Sequence, residues 1–108
     1  MGTVPSNERV DPELAKQISE AETDERVGAV IRLCPTVPGS PAPSPDETDR
    51  IAHKLLARAQ ERAKLPVPEY NVFKNLGYFV VSASPRFLRA LVDEPEVAHA
   101  FPNRRREN

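Results

Sequence analysis

The stretch that decides the fold is residues 70–103, which read YNVFKNLGYFVVSASPRFLRALVDEPEVAHAFPN. Within it, Tyr78 to Ala83 is an uninterrupted run of aromatic, β-branched and small residues, which is typical of an inner strand of a sheet. Ser84 and Pro85 follow and predict the start of a helix. Serine accepts hydrogen bonds from the free N–H groups of a first helical turn. Proline is tolerated at the first position because the N–H that it lacks would have no partner within the helix. The stretch therefore predicts a strand that leads directly into a helix.

The rest of the stretch predicts a short amphipathic helix, a closing strand and a hairpin. The apolar stripe of the helix consists of Phe87, Leu88, Leu91 and Val92. Pro95 disfavours helical geometry at Glu94, so we expect the helix to end there and residues 97–101 to form a strand. Ahead of the inner strand, residues 69–76 predict its hairpin partner, and Gly77 predicts a turn with positive φ.

The first half of the chain predicts a helix, a strand and a longer helix. Asp11 and Pro12 mark the start of a surface helix over residues 12–21. Residues 27–34 alternate as a strand whose core side is Val27, Ala29, Ile31 and Leu33. The capping box Ser44-Pro45-Asp46-Glu47 predicts a helix that runs to about Lys64, with an apolar stripe at Ile51, Leu55, Leu56, Ala59 and Ala63.

The order of these elements predicts the fold. An added helix followed by β-α-β-β-α-β is the ferredoxin-like plait, an α+β fold in which a four-stranded antiparallel sheet carries two helices on one face. The alternation points Phe79, Val81 and Ala83 toward the helices. It leaves Val30, Arg32, Tyr78, Val80 and Ser82 on the uncovered face. We weigh two interpretations of this mild apolar band equally: a protein-docking surface, or ordinary scattered surface apolars.

Composition argues against several classes of protein. The net charge is −1, from 15 basic and 16 acidic residues, whereas general nucleic-acid or anionic-membrane binders are more basic. No apolar run approaches the ~20 residues that span a bilayer. We find no paired-carboxylate, metal-ligand, phosphate-loop or nucleophile–base pattern, so we expect neither an enzyme nor a cofactor or metal site. The single cysteine, Cys34, predicts a packing residue in a reducing compartment, and His53 a solvated side chain.

Residues 35–45 hold five prolines and predict a stiff surface loop with polyproline character. Pro35 and Pro38 have the P-x-x-P spacing of ligands for proline-binding grooves. A plain connector is favoured over such a ligand, because the loop lacks a flanking basic residue that would give specificity.

A family resemblance rests on the last strand, helix and strand of the chain. The final strand opens with Glu94-Pro95-Glu96-Val97-Ala98, after an aromatic-led strand and a leucine-bearing helix with serine at its start. In these features residues 27–103 resemble the propeptides of subtilisin-like serine proteases, a family of inhibitor and intramolecular-chaperone domains. The resemblance implies three parts: residues 1–26 as an extension with a short helix, residues 27–103 as the propeptide-like domain, and residues 104–108 as a basic tail.

The resemblance also implies a way of binding. Such a domain lays its open sheet face on two surface helices of the protease, and its extended C-terminus enters the active-site cleft as a substrate would. On this chain the face residues would be Val30, Arg32, Tyr78 and Val80. The tail would be Phe101, Pro102, Asn103, Arg104, Arg105, Arg106, Glu107 and Asn108.

The chain departs from the family pattern in ways that leave alternatives open. Subtilisin-type clefts usually favour apolar residues, so this basic tail implies either a protease with acidic subsites or a tail that does not inhibit. No protease follows the domain, so we expect action in trans or a larger precursor. The alternative function is a non-inhibitory ferredoxin-like module for protein interaction or homodimerisation. The N-terminus lacks the apolar segment of a signal peptide, which predicts the cytoplasm, although relatives in the resembled family act on exported enzymes.

Overall fold

The computed structural model describes residues 9–23, 25–35, 39 and 43–103 of the chain. Over these residues the elements are, in chain order, α1 (Pro12–Glu20), β1 (Val27–Leu33), α2 (Pro45–Ala63), β2 (Glu69–Phe73), β3 (Tyr78–Ala83), α3 (Pro85–Val92) and β4 (Val97–Pro102). Each helix and strand predicted from the sequence is present, and their order is the predicted one.

The four strands form one antiparallel sheet in the order β2-β3-β1-β4. The connection through α2 joins β1 to β2 across β3, and the connection through α3 joins β3 to β4 across β1. Two βαβ units are therefore interleaved around the β2–β3 hairpin. This connectivity confirms the α+β ferredoxin-like plait with an additional N-terminal helix.

The core lies between the helices and one face of the sheet. Buried and less buried residues alternate along β1 and β3, as expected of strands with one covered face. As predicted, Phe79, Val81 and Ala83 are buried on the helix side. The helices contribute Leu55, Leu56, Phe87, Leu88 and Leu91 to the same cluster.

The N-terminal helix packs into this same core. Leu14 and Ile18 of α1 are buried, and the helix contacts α3, β4 and β1. Residues 9–11, called the leader below, run along the outer edge of β4. Val10 forms a parallel bridge with Ala100, whose carbonyl accepts the Asp11 N–H at 2.9 Å. Because α1 lies on the helix side, the open face of the sheet stays uncovered by it.

The helix starts follow the predicted chemistry. A side-chain oxygen accepts a first-turn N–H in each case: Asp11 from Glu13 at 2.8 Å, Ser44 from Glu47 at 3.3 Å, and Ser84 from Phe87 at 3.4 Å. A proline follows each of these caps. Such caps satisfy N–H groups that have no partner within the helix.

The hairpin and two strand ends differ in detail from the prediction. β1 ends at Leu33, and β2 ends at Phe73 because residues 74–77 form the turn. The Leu76 N–H donates to the Phe73 carbonyl at 2.9 Å, which closes that turn. Gly77 has a φ of 75°, as the sequence predicted.

A bulge interrupts β4 where it pairs with β1. Arg32 pairs with His99 but Leu33 pairs with Val97, so β4 has one extra residue at this point. As a result Val97 and Ala100, three residues apart, are both fully buried in the core. Unbroken alternation would have placed Val97 on the open face.

A cluster of charges ties α2 to the turn that precedes β4. The buried carboxylate of Glu94 accepts hydrogen bonds from Arg58 and Arg62, each at 2.9 Å. Glu96 forms an ion pair with Lys54 at 3.2 Å. From the leader, the Arg9 guanidinium donates to the carbonyls of Val92, Glu94 and Val97 at 2.8–3.1 Å. Side chains from two segments, α2 and the leader, therefore hold this turn.

Most of the predicted proline-rich loop, residues 35–45, lies outside the described residues. The structure describes Pro35 as exposed and Pro43 as buried at the approach to α2. In the parts of the chain that the structure covers, none of the helices has the length and hydropathy to cross a bilayer.

Candidate functional site: the open face of the sheet

The open face is built from three cross-strand rows of side chains. The first row is Phe73, Tyr78, Arg32 and His99; the second is Asn71, Val80, Val30 and Phe101; the third is Glu69, Ser82, Gly28 and Asn103. None of these residues is buried, whereas their neighbours in β1 and β3 are buried on the other face. This side of the sheet is therefore accessible over all four strands.

Rings occupy both flanks of the open face. On the β2–β3 side, Phe73 and Tyr78 stack with 5.2 Å between ring centroids and 30° between ring planes. On the β4 side, His99 and Phe101 stack at 5.4 Å and 9°. Aromatic side chains supply much apolar contact area at a low cost in conformational entropy, and they are enriched at protein interfaces.

Between the rings lies an aliphatic band. Val30 and Val80 are cross-strand partners on the two inner strands, and both are partly exposed. Phe101 extends this band onto β4, where it pairs with Val30. The centre of the face is therefore apolar, as expected of the core of a docking surface.

The third row brings β4 close to β1. A Cβ added at Gly28 would lie 3.2 Å from the Cβ of Asn103, so the absence of a side chain at Gly28 allows this close approach. The Asn103 N–H also donates to the Gly28 carbonyl at 3.0 Å. Asn103 is therefore held against the sheet directly after β4 ends.

The structure brings together the predicted face residues. Val30, Arg32, Tyr78 and Val80 all lie on the open face, at adjacent positions of β1 and β3. Ser82, which the sequence also placed there, pairs with Gly28 in the third row.

The predicted tail divides into two parts. Phe101 and Pro102 belong to β4, and Asn103 is hydrogen-bonded to β1, so these three residues lie against the sheet and do not extend away from it. These residues continue the ladder because their backbone groups still pair with β1. The remaining tail residues, Arg104, Arg105, Arg106, Glu107 and Asn108, lie outside the described residues.

Sequence reasoning missed three rings on the face. Phe73 was assigned to a strand but not to a side, His99 was not singled out, and Phe101 was assigned to the tail. The bulge conceals the last two, because simple alternation groups them with the buried Val97. The register of β2 against β3 identifies Phe73, since it pairs with Tyr78.

The other residues singled out from the sequence have local partners. His53 Nε2 lies 3.1 Å from the Tyr70 hydroxyl on the helix side of the sheet. The Cys34 thiol is half-buried, with its Sγ 3.9 Å from the Pro95 carbonyl oxygen. Among the described residues, no group of three His, Cys, Asp or Glu side chains is placed to hold a metal ion.

Away from the open face, a cleft of about 370 Å³ lies where β3 leads into α3. It is lined by Leu65, Val67 and Phe87 and by Arg26 and Arg86. Arg26 faces Glu69 at 3.8 Å, and both of these side chains are largely exposed.

No family model, curated protein or solved structure matches this chain.

Proposed function

We propose that this chain is a protein-binding domain that docks its open sheet face on a subtilisin-like serine protease, as its inhibitor, its folding chaperone or both. The observation that carries the proposal is the open face itself. It combines an aliphatic centre with two flanks of stacked rings, and no element of the described chain covers it. Burial of such a surface against a partner is favourable, at roughly 25 cal/mol for each Å² of apolar area.

The size of the face supports a binding mode with two contacts. Four strands span about 19 Å across, and five to six residues span about 18 Å along the strands, or roughly 340 Å² in outline. A standard protein interface covers about 800 Å² on each partner. The face alone is small by this measure, so a second contact is needed for tight binding.

The C-terminal tail is suited to be that second contact. Asn103, to which the tail is covalently attached, is held beside Gly28 at the β4 side of the open face. Linking two contacts makes the second one intramolecular and strengthens the whole interaction without a new surface. The resemblance to subtilisin propeptides supplies the target of the tail, which is the active-site cleft.

The composition of the tail narrows the class of protease. Residues 104–106 are three consecutive arginines, which pair best with carboxylates. A cleft with acidic subsites would accept them, whereas an apolar cleft would dehydrate their charges without a partner. We therefore propose a target that is selective for basic residues.

Inhibition assays test the proposal. The full chain is titrated against two subtilisin-like proteases, one selective for basic and one for apolar residues, and the inhibition constant is measured with a peptide substrate of each. We expect tight inhibition of the basic-selective protease. Removal of residues 104–108 should weaken it, because the contact in the cleft is lost. A chain that neither inhibits these proteases nor speeds their refolding overturns the proposal, and a dimer in sedimentation would then favour the interaction module.

A second pair of variants tests the face without disturbing the fold. Val30→Thr combined with Val80→Thr keeps the β-branched shape at both positions but places two hydroxyls at the contact. We expect inhibition to weaken at least tenfold, since each hydroxyl buried without a partner costs about 1–3 kcal/mol. Val67→Thr is the matched control, because Val67 is exposed beside the cleft at the start of α3. Equal inhibition by the double variant and the control contradicts docking through the face.

A further inference from the structure

Arg32 is a charged residue on an inner strand of the open face, and its nearest neighbours on this face are Val30, Tyr78 and His99. It lies on β1, which is flanked by β3 and β4, and its side chain is exposed on the open face. Within the described chain its guanidinium makes neither a hydrogen bond nor an ion pair. Four other arginines are engaged: Arg9 with backbone carbonyls, Arg26 with Glu69, and Arg58 and Arg62 with Glu94. Arg32 is therefore available to a partner.

The neighbours of Arg32 on the face do not neutralise it. Its cross-strand partners are Tyr78 on β3 and His99 on β4, and Val30 precedes it on the same side of β1. The carboxylate on the described part of this face is Glu69, two rows and two strands away. From strand geometry this separation is about 16 Å between backbone positions. That is about twice the screening length in physiological salt, so Glu69 has little effect on Arg32.

The bulge of the sheet lies beside this arginine. The register between β1 and β4 shifts between Arg32 and Leu33, directly after the Arg32–His99 pair. Bulges increase local twist and redirect side chains, and they are common next to functional sites. Here the bulge brings His99 onto the open face opposite Arg32 while Val97 enters the core.

Any partner that docks on this face covers Arg32, and the cost depends on which group of the partner lies opposite it. A protein surface that covers Val30 and Tyr78 removes water from the guanidinium between them, and a dehydrated charge without a partner costs several kcal/mol. A carboxylate opposite Arg32 avoids this cost, because the planar guanidinium binds both of its oxygens. A partner without such a carboxylate is rejected.

We infer that Arg32 selects the docking partner by binding an Asp or Glu side chain that the partner presents within an apolar surface. This inference rests on the proposed function and assigns the chemistry of the partner at one position. The partner's carboxylate lies opposite Arg32, and its apolar side chains lie opposite Val30, Val80 and Phe101.

Substitutions at Arg32 test the inference against the basic-selective protease of the inhibition assay. Arg32→Met removes the charge and keeps an apolar stem of similar length, so it distinguishes a paired from an unpaired arginine. With a carboxylate opposite, this variant leaves that group dehydrated, and we expect inhibition to weaken about 30-fold or more. Arg32→Lys should lie between wild type and Arg32→Met, because lysine keeps the charge but not the planar fork.

Two further measurements complete the test. Arg89→Met is the matched control: Arg89 is exposed on α3, on the far side of the sheet, and we expect its inhibition constant to stay within twofold of wild type. The inhibition constant is also measured at several salt concentrations. The salt dependence should decrease in Arg32→Met and stay unchanged in Arg89→Met, since salt screens the removed pair. Circular dichroism confirms that each variant is folded.

The outcomes separate this inference from the proposed function. If Arg32→Met inhibits as well as wild type or better, Arg32 has no carboxylate partner and the inference is overturned. The proposed function survives that result when the Val30→Thr and Val80→Thr pair still weakens inhibition. If wild type neither inhibits either protease nor speeds its refolding, the proposed function fails and the inference fails with it.

Discussion

Two glutamates in the turn before β4 show how single residues hold this fold. Glu94 is 4% exposed, and its carboxylate is bound by two arginines of α2. Hydrogen bonds to Glu94 and then to Asp93 raise the pKa of Arg62 above its ordinary value. Burial pushes the pKa of Glu96 upward, but the hydrogen bond from Lys54, a backbone hydrogen bond and the charges of Lys54 and Arg58 outweigh it and lower the pKa. The charged form of Glu96 is thus the form that the fold favours.

At this scale we predict that Glu96 makes stability depend on pH. Its pKa in the folded state lies below the ordinary value of 4.5, so the folded state binds fewer protons than the unfolded chain. The contribution of Glu96 to the free energy of unfolding is therefore present above about pH 4.5 and is lost as the pH falls through the folded-state pKa. Glu96→Gln should be less stable than wild type at pH 7, and the difference should shrink between pH 5 and pH 3, roughly the window of this titration.

Urea unfolding of both proteins across that pH range provides the measurement. Lys54→Met serves as a companion, because it removes the ammonium group that lies 3.2 Å from the Glu96 carboxylate. The free energy of unfolding of Lys54→Met should therefore depend less on pH in this range than that of wild type. A gap between wild type and Glu96→Gln that widens as the pH falls would contradict the direction of this pKa shift.

At the scale of the element, α2 ends in a conformation that its sequence does not favour. Lys64 caps the helix with φ of 60° and ψ of 42°, in the left-handed region. Its N–H still donates to the Gln60 carbonyl at 2.9 Å, so the hydrogen bonding of the last turn is complete. A residue with a Cβ is strained in this region, and glycine is the usual occupant.

We therefore predict that Lys64→Gly stabilises the protein. Removal of the Cβ relieves about 1 kcal/mol of strain, and the greater freedom of glycine in the unfolded chain offsets part of this, so we expect a net gain of roughly 0.5 kcal/mol. Lys74→Gly is the matched control, because Lys74 lies in the β2–β3 turn without a positive φ. That variant should lose stability in the same urea titration. A loss of stability in Lys64→Gly would show that the cap is not strained.

Helix starts and strand faces could be predicted from the sequence because their causes are local. Ser44 and Ser84 each precede a proline, and the alternation of β3 is visible in six consecutive residues. The bulge of β4 could not be predicted, because the register against β1 determines it. Neither could the burial of Glu94, since its arginine partners lie more than 30 residues away in the chain.

At the scale of the whole molecule, the N-terminal helix is part of the domain. The sequence predicts a surface helix over residues 12–21. In the structure Leu14 of this helix is 0% exposed, and the leader hydrogen-bonds to β4. The packed part of the described chain therefore extends from Arg9 to Asn103, beyond the domain of residues 27–103 that the sequence predicts.

We predict that Leu14→Ala removes a substantial part of the stability of the whole domain. Truncation of a fully buried leucine leaves a cavity and costs about 3 kcal/mol. Leu76→Ala is the matched control, because Leu76 is 57% exposed in the β2–β3 turn. This substitution should change the free energy of unfolding by no more than about 0.5 kcal/mol. Both values come from urea unfolding followed by circular dichroism. A loss of less than 1 kcal/mol in Leu14→Ala, with one cooperative transition, would show that α1 contributes little to the fold.

Much of the candidate site could also be predicted at this scale, since the plait necessarily leaves one sheet face bare. Val30, Arg32, Tyr78 and Val80 follow from strand alternation alone. The missing part, His99 and Phe101, depends on how β4 joins the sheet. The isolation of Arg32 also required the structure, because the register shows which side chains lie beside it.

The leader along β4 has a consequence for self-association. A sheet grows into a fibre only if strands can be added at both of its edges, and the leader already occupies the outer side of β4 at Ala100. In the described part of the chain, β2 is the other edge strand, and no strand pairs with its outer side. Two copies paired through their β2 edges would therefore have the leader on both outer edges, where it hinders addition of a further strand at Ala100.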